Sequence, residues 1–111
     1  HFAFQDRDTL YLVLDLMEGG DLRYHIATGY LIKYNQVFEF NVEFFIACIV
    51  LGLEDLQMNN IIHRDIKPEN LVLDSRGYIR ITDLGIARLY KPNNSCDTSG
   101  TPGYMCNLCT I

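Results

Sequence analysis

The chain alternates short apolar runs with polar turns, and the first part of this pattern predicts a strand, a turn and a short helix. Residues 10–16 are apolar with one acidic interruption, which is typical of a strand, and Gly19-Gly20 follows it as a turn signal. Asp21 is placed to cap a short helix that reaches about Thr28 and ends at Gly29.

The longest helical candidate runs from Asn41 to Met58, and its apolar positions cover nearly the whole helix circumference. Such a helix needs protein on every side, which the short strands and loops of the rest of the chain can hardly supply. The pattern therefore indicates that the chain is part of a larger domain. Its apolar stretch, residues 44–53, is about half of the roughly 20 residues that a membrane helix needs, so we expect no membrane span.

A polar segment bent by Pro68 leads into a predicted β-hairpin. The apolar run 71–73 and the alternating run 78–82 flank the turn Asp74-Ser75-Arg76-Gly77. A four-residue turn would set position 73 against 78, 72 against 79 and 71 against 80. The mouth of the hairpin would then bring Asn70 and Asp83 close together.

Composition narrows the classes of function. The 111 residues allow one small domain at most, and 9 Lys+Arg against 14 Asp+Glu give a net charge of −5. Without a basic stripe, we expect no nucleic-acid partner, because such binding needs cations against phosphates. A hydrophobic content of 49% excludes a disordered acidic tail.

The cysteines do not indicate a disulfide framework. Cys48 lies inside the apolar helix pattern, and no signal-peptide pattern stands at the N-terminus, so we expect reduced thiols in an intracellular, cytoplasmic protein. Cys106 and Cys109 have the spacing of a zinc or redox pair. Since no second pair accompanies them, a divergent terminal segment is the interpretation we favour.

Oxygen and cationic side chains converge at the mouth of the predicted hairpin. Asn70 and Asp83 would bring an amide oxygen and a carboxylate within reach of one ion, and few oxygen ligands favour Mg²⁺. Asp65 would remain free to touch a substrate hydroxyl, and Lys67 would place a positive charge beside the transferred group. This set predicts a site for phosphoryl transfer.

Two motifs in this order and spacing resemble those of the protein kinase catalytic domain. The segment His63-Arg64-Asp65-Ile66-Lys67-Pro68-Glu69-Asn70 matches H-R-D-x-K-x-x-N, and Asp83-Leu84-Gly85, thirteen residues after Asn70, matches D-F-G. The segments 19–26 and 61–65 look similar to AGC-type Ser/Thr kinases, and most to the YANK-type branch.

The resemblance extends over about residues 1–105, which we interpret as a partial protein kinase domain followed by a divergent tail at 106–111. It implies an α+β fold, a partial kinase-like fold. A remnant of the small-lobe strands and the hinge would precede the first helices, catalytic loop and β-hairpin of the large lobe.

By resemblance, the function is that of a protein serine/threonine kinase, which transfers the γ-phosphoryl group of ATP, with Mg²⁺, to a Ser or Thr hydroxyl of a protein substrate. The catalytic residues would be Asp65 as base and Lys67 as the phosphate-neutralising group. The metal ligands would be Asn70 and Asp83.

The resemblance also implies a set of nucleotide contacts. They are Leu14 as gatekeeper, the backbones of Asp15 and Met17 at the adenine, Asp21 at the ribose and Val72 beneath the base. Asp21 and Glu69 would also suit a protein substrate with a basic residue upstream of the phosphorylated Ser or Thr.

Arg64 implies control by charge in the activation segment, because this arginine tends to be held by a phosphate in the family. The hydroxyls of Thr98, Ser99 and Thr101 are available, and Asp97 would partly mimic a phosphate. Which of them acts is open at this point.

The chain departs from the family pattern in three respects. Leu84 stands where Phe is usual and is expected to fill the slot against His63, itself expected to be a core residue. Ala-Pro-Glu does not follow Met105, and the chain carries no glycine-rich loop or strand lysine. The alternative is therefore a catalytically silent kinase fragment that binds at most a nucleotide or a partner. We expect the isolated chain to transfer phosphate no faster than its Asp65→Asn form.

Overall fold

The computed structural model describes residues 1–29, 37–92 and 99–105, with the backbone alone for residues 37–41. The elements are β1 (Phe2–Gln5), β2 (Leu10–Val13), α1 (Leu22–Ala27), α2 (Val37–Met58), β3 (Ile61–Ile62), a 3₁₀ turn (Pro68–Asn70), β4 (Leu71–Leu73), β5 (Ile79–Ile81) and β6 (Arg88–Leu89). Helices and small antiparallel sheets confirm the predicted α+β class. The expected tail at 106–111 lies outside the described residues.

The first two strands form a hairpin that was only partly predicted. β1 pairs antiparallel with β2, with Phe2 opposite Val13. The turn is held by Asp6, whose carboxylate accepts hydrogen bonds from the backbone N–H of Asp8 at 2.9 Å and of Thr9 at 2.8 Å. β2 ends at Val13, three residues before the predicted end of the strand.

The short helix α1 confirms the prediction from its caps. The Asp21 carboxylate accepts from the backbone N–H of Tyr24 at 2.8 Å, which satisfies one of the free donors of the first turn. Thr28 is the C-cap, and Gly29 follows with a φ of 65°, in the left-handed region that glycine tolerates best.

The long helix α2 begins at Val37, four residues earlier than predicted, and ends at Met58 as expected. It packs on β5 and β3. Ile46, Val50 and Leu51 remain 54%, 57% and 63% exposed, so the described chain leaves part of the apolar circumference uncovered, as the pattern predicted. In the described part of the chain, no helix is both long enough and apolar enough to cross a membrane.

The register of the β4–β5 hairpin corrects the sequence prediction by one residue. Leu71 lies opposite Ile81, Val72 opposite Arg80 and Leu73 opposite Ile79. The loop has three residues rather than four, because Gly77 takes a φ of 84° and the Asp74 amide donates to the Tyr78 carbonyl.

β4 lies at the centre of the packed part of the molecule. Besides β5, it pairs with the segment before α1, since Gly19 N–H donates to the Leu73 carbonyl at 3.0 Å and Leu73 N–H donates to the Gly20 carbonyl at 2.9 Å. A Cβ atom at Gly19 would lie 2.5 Å from the Leu73 Cβ, so only glycine fits this approach. Leu71 and Ile79, both 5% exposed, form the apolar core of the described residues.

Candidate active site

The loop before the 3₁₀ turn is anchored by a buried histidine. His63 is 4% exposed, and its Nε2–H donates to the Thr82 carbonyl at 3.0 Å, while its Nδ1 accepts from the Asp65 backbone N–H at 3.2 Å. These partners fix the neutral tautomer with the proton on Nε2. The histidine is thus a core residue, as predicted, and it ties the loop to the end of β5.

The Asp65 carboxylate is surrounded by donors. Lys67 Nζ lies 2.8 Å from Oδ2, and Asn70 Nδ2 donates to the same oxygen at 3.1 Å. The Thr101 hydroxyl donates to Oδ1 at 2.6 Å, and the Thr101 backbone N–H donates to it at 3.2 Å. The hydrogen bonds from Lys67 and Thr101 lower the pKa of Asp65 from 3.8 to about 2, against a smaller opposing effect of desolvation. The carboxylate is therefore ionised at neutral pH.

Lys67 is the cation of this cluster. Its ammonium donates to the Thr101 hydroxyl at 2.8 Å as well as to Asp65. The hydrogen bond that Lys67 donates to the Asp65 carboxylate raises the pKa of Lys67, with further contributions from the charges of Asp65, Glu69 and Asp83. The lysine is thus positively charged and lies within electrostatic range of Asp83.

The two predicted metal ligands are placed differently. Asn70 is 6% exposed, and its Nδ2 donates to the Asp65 carbonyl at 2.8 Å in addition to the Asp65 carboxylate, so the hydrogen bonds of this side chain leave Oδ1 for a ligand. Asp83 is exposed, has a φ of 63°, and its Oδ1 accepts from the Gly85 N–H at 3.1 Å.

The oxygen atoms of Asn70 and Asp83 are of the kind that binds a magnesium ion. One amide oxygen and one carboxylate are hard oxygen ligands, and Mg²⁺ normally completes its shell with waters and substrate phosphates. Across residues 1–29, 37–92 and 99–105, no group of three or more His, Cys, Asp and Glu side chains could hold an ion by itself.

Two of the predicted nucleotide residues lie side by side. Asp21 and Val72 form an isolated antiparallel β-bridge, and both are half-buried. Met17 is also half-buried, two residues before Gly19. Leu14, by contrast, is 68% exposed just after β2.

The side chain of Asp15 has a different partner. Its carboxylate pairs with the His1 ring at 2.6 Å, and the hydrogen bonds of the described residues do not connect it to β4. Asp65, Lys67 and Asn70 thus lie together on one loop, and Asp21 and Val72 lie together at the β-bridge. The contacts expected of Leu14 and of the Asp15 and Met17 backbones stay predictions.

Arg64 connects the loop to the segment that follows β6. Its backbone has a φ of 70°, its Nε donates to the Ile86 carbonyl at 2.6 Å, and its Nη1 donates to the Ser99 hydroxyl at 3.2 Å. Of the two candidate hydroxyls that the structure describes, Ser99 is therefore the one at Arg64, whereas Thr101 is bound to the loop. Thr98 and Asp97 lie outside the described residues.

The sequence did not predict that Thr101 hydrogen-bonds to Asp65 or that Leu84 is exposed. Thr101 contacts a carboxylate 36 positions earlier in the chain, and no local pattern reports such a contact; the only signal was the Gly100-Thr101-Pro102 segment of the resemblance. Leu84 is 53% exposed, so the expectation that it fills a slot against His63 is wrong for the described residues.

The protein kinase domain family matches residues 1–108. The chain is 44% identical over 107 residues to a probable serine/threonine-protein kinase of Dictyostelium discoideum, in an alignment that covers 95% of this chain and 22% of that protein.

Two relatives are receptor kinases. The chain is 44% identical over 105 residues to G protein-coupled receptor kinase 1 of Caenorhabditis briggsae, covering 94% of this chain and 16% of that protein. It is 39% identical over 104 residues to beta-adrenergic receptor kinase 1 of Homo sapiens, in an alignment that covers 94% of this chain and 14% of that protein. The chain thus spans about a fifth or less of the length of these relatives. Receptor kinases agree with the AGC-type resemblance, and the finer YANK-type assignment stays a prediction.

Proposed function

The chain belongs to the protein kinase family, and we propose that it carries the catalytic loop of a serine/threonine-protein kinase. The reaction would transfer the γ-phosphoryl group of ATP to a Ser or Thr hydroxyl of a protein substrate. The names of the relatives support the Ser/Thr class, since one is a probable serine/threonine-protein kinase.

One observation carries the proposal: an ionised carboxylate, a cation and a buried amide meet within hydrogen-bonding distance on one loop. Asp65 is 2.8 Å from Lys67 and 3.1 Å from Asn70. An isolated Asp in a surface loop would be solvated and mobile. Here both carboxylate oxygens are held, so the side chain is oriented before any substrate arrives.

In the proposed reaction, Asp65 accepts a hydrogen bond from the acceptor hydroxyl and takes its proton as the new phosphorus–oxygen bond forms. The bond from the γ-phosphorus to the bridging oxygen breaks in the same step, and ADP leaves with that oxygen. A carboxylate with a pKa of about 2 is a weak base, so orientation of the hydroxyl is its larger contribution. Lys67 offsets the negative charge of the transferred phosphoryl group. These two tasks need an anion and a cation in contact, and the loop supplies both.

Asn70 and Asp83 would hold Mg²⁺ together with the phosphates of the nucleotide. The ion, when bound, neutralises phosphate charge and polarises the phosphoryl group. Val72 and Asp21 would contact the base and the ribose, with the backbones of Asp15 and Met17 at the adenine edge and Leu14 at its far side. The contact between Asp21 and Val72 supports the inner part of this pocket.

The test is phosphoryl transfer by the longest form of the protein that contains this chain. With radiolabelled ATP, Mg²⁺ and Ser-, Thr- and Tyr-containing peptides, we expect labelling of the Ser and Thr peptides. Asp65→Asn should lower the rate by about a hundredfold or more, since it removes the proton acceptor. Asp8→Asn, the same chemical change in the β1–β2 turn, should leave the rate unchanged.

Equal rates for the unmodified protein and Asp65→Asn would remove the catalytic proposal. If both are inactive but still bind ATP, the alternative of a silent nucleotide-binding module replaces it. The isolated 111-residue chain serves as the second arm, in which we expect no difference between Asp65 and its Asn form.

A further inference from the structure

Helix α1 is connected to the preceding segment by a short side-chain hydrogen bond that the proposed mechanism does not use. The ring Nε2 of His25 lies 2.6 Å from the carbonyl oxygen of Gly19. A carbonyl can only accept, so Nε2 carries the proton and donates. His25 is half-buried, whereas its neighbour Tyr24 is 62% exposed, so the histidine points toward the protein rather than into water.

The same glycine is held by β4 through its other polar group. Gly19 N–H donates to the Leu73 carbonyl, and the Leu73 N–H returns a hydrogen bond to the Gly20 carbonyl, at 3.0 and 2.9 Å. A side chain at Gly19 is excluded by the approach of Leu73. The two peptide groups that flank Gly19 are thus fixed from two directions, one by β4 and one by His25.

This doubly held glycine lies in the middle of the segment on which the nucleoside contacts were placed. Met17 precedes it by two residues, and Asp21 follows it by two and bridges to Val72. A shift of the Gly19 peptide would move all three relative to one another. The residues at the phosphates, by contrast, have hydrogen bonds of their own, between His63 and Thr82 and between Asp65 and Asn70.

We propose that His25 is a positioning residue for the nucleoside half of the nucleotide site. It holds the segment 17–21 against β4 and touches no substrate itself. The inference rests on the proposed nucleotide site and adds to it a residue of α1 that is not among the nucleotide contacts named above. Loss of its hydrogen bond should weaken binding of the base and ribose and leave binding of the phosphates unchanged.

The first test measures the positioning directly, by amide hydrogen exchange in the full chain without any ligand. In His25→Leu, the Gly19 and Leu73 amides should exchange roughly two- to tenfold faster, the range for one lost hydrogen bond. The Thr82 amide, which donates to the Asn70 carbonyl at 2.9 Å, serves as the internal control and should be unchanged. His25→Gln retains a donor of similar reach and should restore slow exchange.

General destabilisation would accelerate the Thr82 amide as well and would affect the Leu and Gln variants alike. Either result would overturn the inference, as would unchanged exchange at Gly19 in His25→Leu. None of these outcomes bears on whether the chain is a kinase, so the test is independent of the proposed function.

The second test uses adenosine and Mg²⁺-triphosphate as separate probes, with binding followed by amide chemical shifts. We expect His25→Leu to weaken adenosine binding roughly two- to tenfold, His25→Gln to restore it, and triphosphate binding to be equal in all three proteins. Equal adenosine binding by all three would overturn the inference alone. Failure of the unmodified chain to bind adenosine would overturn the nucleotide site and the inference with it.

Discussion

The part of the chain that the structure describes contains two antiparallel hairpins, whose turns are built alike but whose strands differ in burial. In β1–β2, Asp6 accepts two backbone N–H groups of the turn, and in β4–β5, Asp74 does the same for Arg76 and Tyr78, at 2.9 and 3.0 Å. Yet Leu12 is 62% exposed, whereas Leu71 is 5% exposed. Turn chemistry is therefore the same in both, and burial is not.

The difference arises from what packs on each hairpin. β4 and β5 contact α2, α1 and the 3₁₀ turn, whereas the contacts of β1 are with β2. An isolated two-stranded hairpin is marginally stable in water, because its side chains bury little area to offset the loss of chain entropy. The candidate site is thus built on the hairpin that has a second layer, which allows its side chains to be held in place.

The largest expected effect is the difference in stability loss between one leucine-to-alanine substitution in each hairpin. Leu71→Ala should lower the free energy of unfolding by about 2–5 kcal/mol, because it opens a cavity in the core. Leu12→Ala should change it by about 0.5 kcal/mol or less, because the side chain is already in water. Urea denaturation of the full chain checks both values. Equal losses would show that β1–β2 is packed on the rest of the protein in solution.

The next effect concerns the approach of the segment before α1 to β4. Gly19→Ala places a Cβ 2.5 Å from the Leu73 Cβ and 2.9 Å from the Leu73 carbonyl oxygen, so the backbone must shift. We expect a loss of about 1–3 kcal/mol in the free energy of unfolding, together with weaker adenosine binding.

Gly52→Ala is the matched control for that substitution. Its Cβ would meet only the end of the Ile81 side chain, at 2.9 Å, which can rotate. The loss should therefore be smaller than for Gly19→Ala. A larger loss at Gly52 would mean that the contact of α2 with β5 tolerates less than the contact of Gly19 with β4.

Acid should act on the site through Asp65. The pKa of this group is about 2 in the folded chain against an ordinary value of 3.8, so the unfolded chain binds its proton more tightly. Its contribution to stability is present above about pH 4 and is lost as the pH falls toward about 2. In Asp65→Asn, the fall in the midpoint of thermal unfolding between about pH 4 and 2 should be shallower. An unchanged slope would contradict the role of Lys67 and Thr101 at this carboxylate.

The smallest effect compares the two turns directly. Hydrogen bonds lower the pKa of Asp6, and the bond from the Asp8 backbone amide has the largest effect. At Asp74, burial raises the pKa, but the bonds from the Tyr78 and Arg76 amides and from Arg80 outweigh it. Asp74→Ala should lower the thermal midpoint by a few degrees. Asp6→Ala should fray β1–β2, seen as faster amide exchange there, with little change in the midpoint; a large change would remove the contrast between the hairpins.

Several features followed from local chemistry alone, and the sequence was sufficient for them. Asp21 and Gly29 mark the two ends of α1 as predicted, because a capping residue acts on the helix turn next to it. Asp65, Lys67 and Asn70 lie on one bent loop, so their spacing already implied that they are neighbours. The hairpin itself was predicted, since Asp74 and Gly77 favour a reversal between two apolar runs.

Other features depend on parts of the chain that are far apart in sequence, and only the tertiary structure decided them. One local feature was also missed, because the register of β4–β5 differs by one residue where the backbone of Gly77 selects a three-residue loop. The Thr101 hydroxyl reaches Asp65 across 36 positions, and β3 finds its partner in β6 with Ile61 opposite Leu89. Such contacts are set by how elements pack in three dimensions, whereas a sequence pattern reports only the interactions of near neighbours.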